Sequence, residues 1–102
     1  MSAFVYVIKM VRPELLEHMS PEQEAIMEKH FMRLKEGVES GKVVLAGPCT
    51  DGAFGIVVFE ADSEEDAADY MNADPAVEGG LMSAELHPFR ISLMQGRDQV
   101  AP

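Results

Sequence analysis

The stretch KVVLAGPCTDGAFGIVVFEA, residues 42–61, decides the fold. Its two ends, Lys42 to Gly47 and Phe54 to Ala61, are short apolar runs rich in Val and Ile, which read as strands. Asp51-Gly52 between them carries the turn chemistry of a hairpin, so the two strands are antiparallel neighbours. On the N-terminal side, Met27, Phe31, Leu34 and Val38 recur at helical spacing and form one apolar stripe. Ser20, Pro21 and Gln23 supply a capping box with proline at the first helical position, and Ser40-Gly41 stops the helix about five turns later. On the C-terminal side, Ser63 followed by Glu64, Glu65 and Asp66 caps a second helix that turns Ala67, Tyr70 and Met71 inward and runs to about Asn72. Asp74-Pro75 repeats the cap-then-proline pattern for one further turn, and Gly79-Gly80 releases the chain.

The outermost elements complete the order. Phe4 to Val11, interrupted only by Lys9, reads as a central strand covered on both faces, and a mixed connection from Pro13 to Met19 follows it. From Glu85 to Met94 alternation sets His87, Phe89, Ile91 and Leu93 on an inward face and Leu86, Arg90 and Ser92 on the other. The order β-α-β-β-α-β predicts a ferredoxin-like α+β domain over residues 1–94, with a four-stranded antiparallel sheet and two helices on one face. Residues 95–102 read as a polar tail. Two helices cover one face of such a sheet, yet Val5, Val7, Ile56 and Val58 make the second face apolar beside Phe4, Tyr6, Ile8, Val57 and Phe59. An apolar open face predicts a homodimer packed sheet to sheet, the alternative being that the tail or a loop covers it.

The 102 residues suffice for one domain and one modest core. Eight Lys and Arg against eighteen Asp and Glu give a net charge of −10, which disfavours nucleic acid and anionic membrane as partners. Phe54-Gly55-Ile56-Val57-Val58-Phe59 partly mimics an RNA-reading strand, but Asp51 and Gly52 replace the basic residue in front and Ile56 replaces the middle aromatic. The single cysteine, Cys49, excludes an internal disulfide and, with no basic leader or long apolar run at Met1 to Val11, predicts a cytoplasmic protein. There is no metal-ligand spacing among the three histidines and the cysteine and no phosphate loop, so no metal, flavin or nucleotide cofactor is expected.

The segments Glu28-Lys29-His30-Phe31-Met32-Arg33-Leu34, Leu45-Ala46-Gly47-Pro48, Ala73-Asp74-Pro75 and His87-Pro88-Phe89, in this order, resemble the YCII-related family over about residues 3 to 94. The resemblance implies a dimeric α+β barrel with a pocket between helix and sheet and a histidine–aspartate pair, which maps onto His30 and Asp74. A ring-dehalogenating member and likeness to muconolactone isomerases imply small organic substrates, including ring-derived ones.

Read as residues, His30 lies at the edge of the apolar stripe, which suits a hydrogen-bonded core-edge histidine or an acid–base group. Asp74 before Pro75 is a natural helix cap, and one carboxylate oxygen can cap while the other receives a ring N–H from His30. Gly47, Pro48 and the strand residue His87 are candidate pocket-lining positions, His18 is expected in solvent, and Cys49 has no neighbouring base that would make it a nucleophile. The leading expectation is a small-molecule enzyme of lyase, isomerase or dehalogenase-like type using His30 and Asp74. The alternatives are a non-catalytic dimeric module binding a small ligand in the same pocket, and an assembly protein without pocket chemistry.

Overall fold

A computed structural model describes residues 2–96. Four strands, β1 (Ser2–Met10), β2 (Val43–Pro48), β3 (Gly55–Ala61) and β4 (Met82–Phe89), form one antiparallel sheet in the order β2-β3-β1-β4. Three helices, α1 (Pro21–Ser40), α2 (Glu64–Asn72) and the single turn α3 (Pro75–Glu78), complete the ferredoxin-like α+β fold, and a 3-10 turn spans Pro13–Leu16. The capping box at the start of α1 is present in both directions: Gln23 N–H donates to Ser20 Oγ at 3.2 Å and Ser20 N–H to Gln23 Oε1 at 2.8 Å. Gly41 ends the helix at φ 87°, a left-handed conformation that a side chain would strain.

The core lies between the helices and the face of the sheet that carries Phe4, Tyr6, Ile8, Val57 and Phe59, with Leu34, Val43 and Ala67 packed against it. On the opposite face Val5 pairs with Val58 and Val7 with Ile56 across β1 and β3; Val58 is buried there and the other three are half-buried.

Two expectations need correction. β4 begins at Met82 and ends at Phe89 rather than running from Glu85 to Met94, because the pairing with β1 starts at Met10 opposite Met82 and closes at Ala3 opposite Phe89. Its inward residues are Met82, Ala84 and Leu86, so the parity is the reverse of that read from the alternation. The apolar stripe of α1 is also rotated from the core: His30, Leu34 and Gly37 are the buried positions, while Phe31 and Val38 are 64% and 50% exposed. Of the tail set off from Gln95, residues 97–102 lie outside the described residues.

Candidate functional site

The rotation of α1 has a cause on its other side. Met27, Phe31, Leu34 and Val38 form one wall of an open cavity of about 540 Å³ between the helix and the sheet. Ile8, Ala46, Val57 and Met82 form its floor, and Pro48 at the end of β2 with Cys49, Gly52 and Phe54 of the β2–β3 connection closes one end. That connection holds its shape through Cys49 N–H donating to the Phe54 carbonyl at 2.6 Å and Gly52 N–H to the Cys49 carbonyl at 2.9 Å. A mainly apolar cavity of this size with a few polar groups is the usual form of a small-molecule site.

His30 is the buried polar group in this wall, 7% exposed. Packing of α1 against α3 brings it to Asp74, which caps α3 and is fully buried. The distance from His30 Nδ1 to Asp74 Oδ1 is 2.6 Å. The same oxygen accepts the Ala76 N–H at 2.9 Å, and Oδ2 accepts the Tyr6 hydroxyl at 2.6 Å. One oxygen thus performs both cap and pairing, leaving the second for a residue on the central strand.

These three donors decide the charge of the aspartate. Burial by itself raises the carboxyl pKa, but the hydrogen bonds from His30 and Tyr6, the field of the imidazole and the Ala76 N–H outweigh it and hold Asp74 below its ordinary value. Burial, and then the bond to Asp74, push the Tyr6 hydroxyl far above its ordinary value, so it stays a donor. An ionised Asp74 has no proton to give, so His30 Nδ1 is the donor and the neutral ring carries its lone pair on Nε2. Among the described residues Nε2 has no hydrogen-bond partner and is not sealed from solvent. A histidine with one nitrogen fixed by a carboxylate and the other free at a cavity wall can take up and return a proton.

Tyr6 escaped the sequence reading because an aromatic in an apolar strand reads as core. The signal that points to it is its inward parity beside Phe4 and Ile8, which obliges a buried hydroxyl to find a partner. Gly47 and Pro48 line the cavity. His87 does not: it pairs opposite Val5 on the open face of the sheet, with its ring Nε2 2.9 Å from Glu85 Oε1 in an exposed contact. Cys49 lines the cavity as a free, half-buried thiol, and His18 is exposed. No group of three or more His, Cys, Asp or Glu among the described residues is arranged to hold a metal, and no described helix is long and apolar enough to cross a membrane.

The YCII-related domain matches residues 3–90 of the chain. The chain belongs to the YCII-related family. A search of curated proteins finds no significant match to this YCII-related chain. Among solved structures, it is similar to a muconolactone isomerase at TM-score 0.65 and 16% identity, covering 95% of this chain and 98% of that one. It is also similar to the 5-chloro-2-hydroxyhydroquinone dehydrochlorinase of Burkholderia phenoliruptrix, solved with 2,5-dihydroxybenzoquinone, at TM-score 0.56 and 14% identity, covering 85% of this chain and 93% of that one. At these identities the likeness establishes that the YCII-related chain shares the α+β fold of both, a four-stranded antiparallel sheet with its helices.

Proposed function

We propose that this YCII-related protein is a small-molecule enzyme in which His30 Nε2 moves a proton on an organic substrate held in the α1–sheet cavity. The observation that carries the reading is the 2.6 Å contact of His30 Nδ1 with buried Asp74, which leaves the second ring nitrogen at the cavity wall. Nε2 accepts a proton from an acidified C–H or O–H of the substrate, and the ionised Asp74 stabilises the imidazolium that forms. Return of the proton at a different atom is an isomerisation. Loss of a leaving group from the adjacent carbon is an elimination, of which dehalogenation is one case. The two similar structures are an isomerase and a dehydrochlorinase, which supports this pair of outcomes.

Two copies packed through the face of Val5, Val7, Ile56 and Val58 form the working unit in this reading. The almost wholly apolar wall also suits a module that only binds its ligand, and one variant distinguishes the two readings. His30→Asn retains a hydrogen-bonding side chain but cannot cycle a proton near neutral pH. With 5-chloro-2-hydroxyhydroquinone, which carries a leaving group, and unsaturated lactones, which can isomerise, as trial substrates, the enzyme reading expects the variant to fold and turnover to fall about a hundredfold or more. Unchanged turnover in the folded variant refutes the role of His30. Ligand binding by the parent chain without turnover of any trial compound favours the binding module.

A further inference from the structure

The charges and hydrogen-bonding groups around the cavity restrict the class of its ligand, an inference that rests on reading this cavity as the reaction site. Lys35 and Glu39, both exposed and one turn apart on α1, set opposite charges at its edge and offset each other. Lys9 turns its ammonium away, since it pairs opposite Ser83 on the face of the sheet remote from Ile8. That leaves His30 as the buried polar side chain of the lining, with ionised Asp74 behind it at 2.6 Å. An anion seated on Nε2 would share a single imidazolium with the Asp74 carboxylate, in a wall that gives its charge no other partner. A neutral O–H group instead matches the lone pair that the Nδ1–H bond to Asp74 fixes on Nε2.

The rest of the wall suits an aromatic body. Met10 and Met82 are cross-strand partners on the cavity side of the sheet, and Met27 lines the cavity from α1. Thioethers adapt to irregular shapes and gain from contact with the edges of aromatic rings. Phe31 and Phe54 line the cavity while 64% and 40% exposed, and a flat ring displaces water from such faces.

We propose that the cavity takes a neutral aromatic compound whose phenolic O–H donates to His30 Nε2 while its ring lies among these thioethers and phenyl faces. The ligand enters uncharged. Its O–H bond breaks as the Nε2–H bond forms, the electron pair stays on the ligand oxygen, and the negative charge arises beside the imidazolium made in the same step. Carboxylates, already ionised at neutral pH, are selected against.

Cys49 is the only cysteine of the chain and lines the same cavity, so its rate of alkylation by iodoacetamide reports occupancy. Three probes share one ring system: 2-naphthol is neutral with an O–H to donate, 2-methoxynaphthalene is neutral without one, and 2-naphthoate is an anion. 2-Naphthol is expected to protect Cys49 of the full chain at concentrations about tenfold below either counterpart. Its margin over the acid should survive raised salt, because the carboxylate is refused at short range by burial and not by the net charge of −10 on the whole chain. Nitrogen NMR of the parent supplies a second measurement: 2-naphthol should shift the His30 Nε2 resonance well beyond the effect of 2-methoxynaphthalene. Protection by 2-naphthol that fails to exceed either counterpart, protection by none of the three, a margin over the acid that vanishes with salt, or an unmoved Nε2 resonance overturns the proposal. His30→Asn cannot cycle a proton but keeps Asp74 and the apolar wall, so it should still favour 2-naphthol over 2-naphthoate. Loss of turnover with that order intact speaks to proton transfer, whereas a parent that prefers the acid refutes the ligand class and leaves the role of His30 to its turnover test.

Discussion

Tyr6→Phe removes one oxygen from a contact between two side chains that are each fully buried, and it tests whether the Asp74 charge depends on all three donors. The ring still fits, and its edge-on packing with Phe59 at 5.6 Å between centroids is retained, so no cavity term beyond the hydroxyl arises. Oδ2 of a buried carboxylate then has no donor. Loss of a hydrogen bond to a charged group costs about 1.5–3 kcal/mol. For a chain of this length that lowers Tm by an amount of the order of 10 °C. The pH dependence supplies the sharper signature. Asp74 has a depressed folded pKa, so its contribution is present above the unfolded carboxyl value of about 3.9 and is lost as pH falls through the folded one. Without the Tyr6 donor that folded value rises, and the variant loses stability at a higher pH than the parent. Tyr6 has a raised folded pKa, so its contribution is full below about pH 10 and declines as pH climbs toward the folded value, by up to about 1.4 kcal/mol per unit. The parent therefore has a steeper alkaline slope than the variant, which keeps only the part due to Tyr70, whose hydroxyl burial also pushes up. Urea unfolding followed by circular dichroism from pH 3 to 11 at fixed protein concentration measures both arms. A stability difference under about 0.5 kcal/mol at neutral pH, or one that stays constant from pH 5 to 11, refutes the argument.

Val5→Asp places a charge on the open sheet face between Val58 and His87, and buries it unpaired if two copies pack there; light scattering should report a monomer where the parent is a dimer at micromolar concentration. A Val5→Asp chain that remains dimeric excludes this face as the interface. Gly37→Ala puts a methyl group 2.5 Å from Val43 Cγ2 and 3.1 Å from the Tyr70 hydroxyl oxygen, against a β-branched side chain with little freedom to turn away. The expected cost is about 1–3 kcal/mol in urea unfolding, and a neutral effect would show that α1 and β2 are not in the contact described.

The elements that chemistry marks locally are the ones legible before the structure. Ser20-Pro21 with Gln23, Ser63 with three acids behind it and Asp74-Pro75 each specify a helix start through groups within a few residues, and all three starts are where the caps place them. The β4 boundary and parity are different in kind. Nothing in the alternation of Leu86 to Leu93 states which face is inward, since Phe89, Ile91 and Leu93 alternate as well as Met82, Ala84 and Leu86 do. The choice is made by the register against β1, where Leu86 meets Tyr6 and His87 meets Val5. A slip of one residue exchanges the two faces, and that slip moved His87 to the wrong side.

The site was half legible for a related reason. Periodicity measures how apolar a helix face is and not what lies over it, so a face lining an open cavity looks the same as one packed in a core. Met27, Phe31 and Val38 border empty space large enough for a ligand, while the true inward positions of α1 are a histidine, a leucine and a glycine. His30 is tolerated there only because Asp74 satisfies it, and fully buried Asp74 is tolerated only because three donors reach it. Two of those donors come from residues 44 and 68 positions away, a separation no local pattern can register. The geometry also removes an apparent choice. Capping and counter-ion duty fall on the same atom, Oδ1, so any change that abolishes the Asp74 carboxylate disturbs the start of α3 together with His30. Tyr6 touches only Oδ2, which makes it the position from which the charge can be altered while the cap is left in place.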